Sequence, residues 1–240
     1  MVIGLNQLII KTNCMKCIVI GGTGAVGKVL LSQLAANPKI EKIISVQRRN
    51  TEAVNKKVKV LVADLQNLQQ LKLSDEIDAA FCCLGTTIKK AKSKANFEAI
   101  DYQMVVDFAN VVLKKNVKSF SVVSSMGAKR DALFFYNQVK GKMEETLRAM
   151  GFVSLGIFRP SLLTNRGDFR FGEKVGEVIM MMLSPLLRGS FKKFAAISVK
   201  KVATAMVWNA LTNPFGLRVY ESDQIHAIAE FSSRKRTGKA

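Results

Sequence analysis

Tyr136 and Lys140, in the segment Tyr136-Asn-Gln-Val-Lys140, are the side chains best placed in this sequence to move a proton. At i and i+4 they leave the same face of a helix. An ammonium held beside a phenol favours the ionised form, so a hydroxyl whose ordinary pKa is about 10 can serve as a general acid nearer neutral pH. The same spacing also describes a solvated Lys next to a half-buried Tyr, so the surrounding elements must decide. A second chemical feature lies upstream. Gly21-Gly-Thr23-Gly24-Ala25-Val26-Gly27 places glycines three apart, directly after the apolar run Cys17-Ile-Val-Ile20 and before Lys28–Asn37, where Val29, Leu30, Leu31 and Leu34 fall at helical spacing. A strand running into a glycine-rich turn and then a helix gathers backbone N–H groups and a positive helix end at one point, which is a site for a pyrophosphate.

The end of the second apolar run, Lys42-Ile-Ile-Ser-Val46, bears on which dinucleotide would fit. It passes into Gln47-Arg48-Arg49-Asn50, with no acid between Ser45 and Thr51. A ribose 2′-hydroxyl is usually met by Asp or Glu at this position, and a 2′-phosphate by Arg, whose paired donors match phosphate oxygens. Arg48 and Arg49 therefore point to NADP (NADPH) rather than NAD, unless they are two more surface charges of a basic chain. Asp64, followed by Leu65 at the end of the third run Val58–Val62, is either an acceptor for the adenine amino group or an exposed turn residue.

These residues need a scaffold, and the rhythm of the chain supplies one. Ala79–Leu84 reads as a fourth strand, Lys94–Asn116 as a long helix, Ser119–Ser124 as a fifth strand, Leu133–Met150 as the helix carrying Tyr136 and Lys140, and Val153–Phe158 as a sixth strand stopped by Arg159-Pro160. Strand and helix in alternation predict an α/β fold, a doubly wound parallel sheet covered on both faces, with ligands at the carboxyl ends of its strands. Gly21–Gly27, Gly85-Thr86-Thr87, Ser124-Ser125 and Arg159-Pro160 all fall at such ends. The expected organisation is an N-terminal extension (1–15, with Met15 an alternative start), one dinucleotide-binding domain (16–231) with a small C-terminal substrate-binding elaboration over about 162–230, and a basic disordered tail (232–240).

Composition narrows the partners. The 240 residues are 48% hydrophobic, enough for a substantial single core. With 37 Lys plus Arg against 18 Asp plus Glu the formal charge is +19, a field that attracts anions in general without naming one. The basic residues are scattered and lack aromatic interleaving, so no specific nucleic-acid partner is expected. Cys14 and Cys17 form a C-x-x-C with no second pair, and the only histidine is His226; no metal is expected, and the thiols suit a reducing cytoplasmic setting. No run is long enough to span a membrane. The apolar segment around 176–183, with Met180–Met182, is read as core, lid, oligomer contact or peripheral membrane contact, and Arg166, Arg170 and Arg188 as surface charges or holders of an anionic group on a small-molecule substrate. Oligomeric state is left open.

Taken in order, Phe81-Cys-Cys-Leu-Gly-Thr-Thr87, Ser124-Ser-Met-Gly-Ala128, Tyr136-Asn-Gln-Val-Lys-Gly141, Phe158-Arg-Pro160 and Ile225-His226 resemble the atypical short-chain dehydrogenase/reductases, NAD(P)-binding Rossmann proteins, and within them the Tat-interactive oxidoreductase group and its bacterial relatives described as nucleoside-diphosphate-sugar epimerases. The resemblance spans roughly Lys16–Glu230. It implies that Tyr136 is the proton donor or acceptor for a carbonyl/alcohol pair, that Lys140 binds the nicotinamide ribose, and that Ser125, or its neighbour Ser124, holds the substrate oxygen. It further implies that Leu84, Gly85 and Thr86 line the cofactor and that Pro160 passes near the nicotinamide. The Asn that many members carry on the central helix is either replaced by Asp101 or absent in this chain, a departure from the family's usual proton relay. The resemblance implies an oxidoreductase, with an epimerase-like isomerase or a non-catalytic NADPH-sensing regulator as alternatives.

Overall fold

In the computed structural model, residues 14–53, 55–164 and 195–237 are described. The first strand, β1 (Met15–Ile20), is buried along Cys17–Ile20, as an uninterrupted apolar run must be when both faces of a sheet are covered. It is followed by α1 (Ala25–Ala35), β2 (Ile40–Gln47), β3 (Val58–Val62) and β4 (Ala79–Cys82). Then come two short helices, α2 (Ile88–Ala91) and α3 (Lys94–Glu98), and the longer α4 (Met104–Lys114). The second half holds β5 (Ser119–Val123), α5 (Phe135–Ala149), β6 (Ser154–Arg159), the paired short strands β7 (Leu163–Thr164) and β8 (Ile197–Ser198), α6 (Val199–Thr212), β9 (Gly216–Glu221) and α7 (Ser222–Thr237).

The sheet has seven strands in the order β3-β2-β1-β4-β5-β6-β9, and its pairings are parallel throughout. The order reverses between β1 and β4, so the crevice for a ligand opens above those two strands. One face packs under α1 and α6 through Leu30, Leu34, Val202 and Met206, and the other under α4 and α5 through Phe108, Val112, Met143 and Leu147. This is the doubly wound architecture the alternation predicts.

Three details depart from the sequence reading. The helix expected over 94–116 is α3 and α4 joined by a π-helical turn at Ala99–Gln103, and Asp101 sits in that turn. A seventh strand, β9, extends the sheet beyond β6, pairing Leu155 with Leu217 and Ile157 with Val219. The disordered tail expected from Ser232 is corrected as far as Thr237, because α7 runs through it; Ile225 and Ala229 are buried and anchor the helix. The N-terminal extension to residue 13 and the segment 165–194, with Arg166, Arg170, Arg188 and Met180–Met182, lie outside the described residues. Of the elaboration expected over about 162–230, residues 162–164 and 195–230 are described: β7 and β8 pair Leu163 with Ile197, and α6, β9 and the start of α7 follow.

Candidate active site

The glycine turn is shaped by two close approaches and leaves one opening. Gly21 has φ +78°, and a Cβ there would sit 2.5 Å from the Cys83 carbonyl carbon at the end of β4. A Cβ on Gly27 would run into the Gly21 carbonyl, so both positions are reserved for glycine by the protein's own backbone. Gly24 differs. It is exposed, and a Cβ on it would lie 3.3 Å from the nearest atom, the Gly21 oxygen. Its missing side chain keeps the space above the turn clear. Gly24 is also the N-cap of α1, makes no side-chain cap and is followed by no acid in the first turn, so the helix presents uncompensated N–H groups and the positive end of its dipole to that space. This cradle fits a dinucleotide pyrophosphate.

Two adjoining hollows, of about 530 and 480 Å³, meet over this turn and share Thr23, Gly24, Leu84, Gly85 and Thr86 in their walls. The first extends toward Arg48, Leu65 and Gln66, where an adenine and its ribose would lie. The second extends over Ala25 and Val26 to Tyr136 and Lys140. Residues scattered from 21 to 140 in the sequence thus line one continuous groove. A third hollow of about 430 Å³, between α1, α6 and α7, contains none of the expected site residues.

Some expected residues lie elsewhere. Arg49 is exposed and lines neither hollow of the groove. Asp64 also lies outside it: its carboxylate accepts from the Gln66 backbone N–H at 3.0 Å and the Asn67 amide at 2.6 Å. Those bonds, the backbone one foremost, hold its pKa below the usual value. These bonds hold Asp64 in the turn, next to Leu65 and Gln66 on the wall of the first hollow. Gly27 is spent on packing, and Pro160 is buried, its carbonyl accepting from the Met126 N–H at 3.0 Å.

At the other end of the groove, α5 places Tyr136, Val139 and Lys140 on its inner face. The Tyr136 ring packs on Phe97 of α3 with centroids 5.2 Å apart. Lys140 is only 2% exposed and forms an ion pair of 2.7 Å with Oδ1 of Asp101, itself 0% exposed. The Thr86 backbone N–H donates to Asp101 Oδ2 at 2.9 Å, so one carboxylate ties the loop after β4 to α5. A π turn carries one residue more per turn than the α-helix around it, and such turns often mark functional positions. Burial by itself pushes the Lys140 ammonium down, but the Asp101 carboxylate, aided by the Tyr136 phenol, outweighs it, and the net shift is upward. Lys140 therefore stays charged beside Tyr136.

The two serines have separate situations. Ser124 lines the groove, yet its hydroxyl donates to Glu144 Oε1 at 2.6 Å. Ser125 lines neither hollow, and its buried hydroxyl has no partner among the described residues. Glu144, which the sequence reading passed over, is the hub behind them. It takes Arg159 Nε at 2.9 Å and Nη2 at 2.6 Å, and Arg159 reaches on to the Ala128 carbonyl and Glu221 at 3.0 and 3.1 Å. This network clamps the loop after β5 against β6 and β9. A signal was available: Glu144 follows Lys140 by four residues and sits between Met143 and Leu147 on a buried face, where an acid must find a cation. Lys28 and Lys90, also unassigned in the sequence, line the second hollow.

A family model described as NAD(P)H-binding matches residues 21–214. Protein HTATIP2 of Rattus norvegicus is 32% identical over 202 residues, covering 82% of this chain and 81% of its own. Protein FMP52, mitochondrial, of Debaryomyces hansenii is 29% identical over 209 residues, covering 84% and 92%. Among solved structures, the Bordetella bronchiseptica enzyme WbmH in complex with NAD+ superposes with a TM-score of 0.65 over 94% of this chain and 82% of its own at 14% identity, a likeness of fold. No helix among the described residues is long and apolar enough to cross a membrane.

Proposed function

The chain belongs to the NAD(P)H-binding family and, within it, to the atypical short-chain dehydrogenase/reductase group, and on that premise we propose that it is an NADP-dependent oxidoreductase acting on a carbonyl/alcohol pair. The observation that carries this reading is the placement of Tyr136 and the charged Lys140 in one groove with the glycine turn. When bound, the dinucleotide supplies or accepts a hydride at its nicotinamide. The protein supplies the rest. The start of α1 receives the pyrophosphate, and Arg48, on the wall of the adenine hollow, receives the 2′-phosphate. Tyr136 gives its phenolic proton to the carbonyl oxygen in the reducing direction and takes one from the alcohol in the other. Lys140, fixed by Asp101, stabilises the phenolate left behind and holds the nicotinamide ribose. The resemblance gives the substrate oxygen to Ser125 or its neighbour Ser124; Ser124 lines the groove with its hydroxyl donated to Glu144, while the Ser125 hydroxyl lies buried outside both hollows.

Lys28 and Lys90 on the wall of the catalytic hollow support a small substrate with an anionic group. The free thiols Cys14, Cys17, Cys82 and Cys83 suit the reducing cytoplasm, and the mitochondrial designation of the FMP52 relative names a second compartment compatible with the same chemistry.

Calorimetric titration with NADPH and NADH tests the cofactor assignment. NADPH should bind more tightly, and Arg48→Ala should remove at least about tenfold of that affinity while leaving NADH unchanged, since the lost contact is to the phosphate. Equal affinities would sink the NADP assignment. Turnover of a panel of carbonyl compounds should then vanish in Tyr136→Phe with cofactor binding retained. Persistent turnover in that variant would remove Tyr136 as the acid, and tight cofactor retention with sugar-nucleotide conversion but no net NADPH consumption would mark an epimerase instead.

A further inference from the structure

Gln47 is the last residue of β2 and stands about 20 residues beyond the glycine turn, where a carboxylate usually receives a ribose 2′-hydroxyl. It is 8% exposed and lines the first hollow beside Arg48. Its amide is held at both ends: Nε2 donates to Ser45 Oγ at 2.9 Å, and Oε1 accepts from Thr51 Oγ1 at 2.9 Å. Ser45 is 0% exposed, and a Cβ on Gly22 would lie 2.8 Å from its hydroxyl oxygen. The three side chains form a short hydrogen-bonded arch that starts against the glycine turn and ends in the loop after β2. A long side chain pinned in this way has given up its rotamer freedom before a ligand arrives, so it adds to recognition at small entropic cost.

The charges around the arch have one sign. Arg48, Lys90 and Lys92 line the first hollow, and among the described residues no acid does. A carboxylate at position 47 would accept from a 2′-hydroxyl and repel a 2′-phosphate. The amide carries no charge, and its second Nε2 hydrogen is a donor that a phosphate oxygen can accept. A fixed neutral donor in a wall of cations suits an added phosphate and leaves a bare 2′-hydroxyl without the ionised acceptor that would hold it.

We infer that Gln47, fixed by Ser45 and Thr51, is a second determinant of cofactor choice, donating to the 2′-phosphate beside Arg48 and denying a 2′-hydroxyl its usual carboxylate. The inference rests on the NADP reading above and supplies what the charge of Arg48 alone does not. Arg48 attracts NADPH, whereas Gln47 withholds the contact that NADH needs, and discrimination depends on both.

The test is calorimetric titration of the full chain and its variants with NADPH and NADH and, as probes of the adenosine end alone, adenosine 2′,5′-bisphosphate and adenosine 5′-monophosphate. Gln47→Glu keeps the shape of the side chain, and the Ser45 and Thr51 hydroxyls can donate to its carboxylate, so the thermal midpoint should stay near that of the unmodified chain. The variant should lose at least about tenfold in affinity for NADPH and for the bisphosphate, and gain about tenfold for NADH. Gln47→Ala should lose roughly threefold to fivefold for NADPH with no gain for NADH, since it introduces no acceptor. A preference in Gln47→Glu that stays within about twofold of the unmodified chain would overturn the inference, even with Arg48→Ala abolishing that preference. So would an equal gain for NADH in Gln47→Ala and Gln47→Glu, which would assign the exclusion of NADH to the bulk of residue 47. If Gln47→Glu fails to fold, unchanged NADPH affinity in Gln47→Ala overturns the inference by itself. Equal affinity of the unmodified chain for NADPH and NADH would instead remove the NADP reading.

Discussion

Replacing Asp101 by Asn isolates the buried ion pair at the centre of the site. The amide keeps an oxygen for the Thr86 N–H, which now donates at 2.9 Å, but it leaves the Lys140 ammonium, 2% exposed, without a counter-charge. Removing one partner of a buried pair costs about 3–5 kcal/mol, whereas removing both charges is far less damaging and sometimes neutral. Asp101→Asn and Lys140→Met should therefore each destabilise by roughly 3–5 kcal/mol, a large fraction of the ~5–15 kcal/mol that holds a typical domain together. The double variant should fall only about 1–2 kcal/mol below the unmodified protein, the remainder being the N–H groups of the introduced amide left unpaired. Urea denaturation of all four proteins measures the cycle, with equal slopes confirming that midpoint shifts report stability. The cycle should give a coupling of at least about 4 kcal/mol, the two single losses less the double loss. Additive losses, or an Asp101→Asn cost below about 1 kcal/mol, would refute the claim that the pair is dry and mutually dependent. The same pair fixes the sign of an alkaline effect. Because the folded Lys140 pKa is raised, its contribution is complete below the unfolded value and is lost as pH rises through the folded one. The unmodified chain should lose stability above about pH 10.4 more steeply than Lys140→Met.

Three further outcomes follow from the geometry. Gly24→Ala should fold with a change of about 1 kcal/mol or less yet lose at least about tenfold in dinucleotide affinity, while Gly27→Ala should cost roughly 1–3 kcal/mol or more by collision with the Gly21 carbonyl, as thermal melts and titrations will distinguish. Glu144→Gln should cost about 2–3 kcal/mol by removing the buried counter-charge of Arg159 and turning one of its two acceptor oxygens into a donor, with release of the loop after β5 visible as faster amide exchange at Met126 and Ala128. His226, whose pKa is lowered by burial and then by Lys201, accepts the Lys201 ammonium at Nδ1 2.8 Å away. The unfolded state then binds the extra proton first, so acidification from about pH 7.5 to about pH 5.5 should lower the urea midpoint more in the unmodified chain than in His226→Gln. A flat profile shared by both would remove His226 as the cause.

The parts of this molecule that were legible in advance are those fixed by neighbours in the chain. The β1 apolar run, the Gly21–Gly27 turn and the helix after it form a local unit whose geometry follows from strand burial and glycine spacing. Tyr136 and Lys140 share a face because a helix turns every 3.6 residues. The parallel sheet followed from the alternation of such units. Where residue types were alike, the path of the backbone separated them. Asp64 is held in its turn by the Gln66 N–H and the Asn67 amide, which its sequence position alone did not require. Arg48 and Arg49 are equivalent in sequence, but the course of the chain after β2 puts only Arg48 on the groove wall.

Fold class, the glycine cradle and the shared face of Tyr136 and Lys140 follow from the chain alone, because each depends on periodicity and on residues within a few positions of one another. What Lys140 and Ser124 touch is set by packing, since Asp101 and Glu144 come from chain positions 39 and 20 residues away and meet them only when the helices flanking the sheet close over it. Burial then makes those choices binding: in a dry interior a charge or hydroxyl must have its partner, and which partner is available is set by packing.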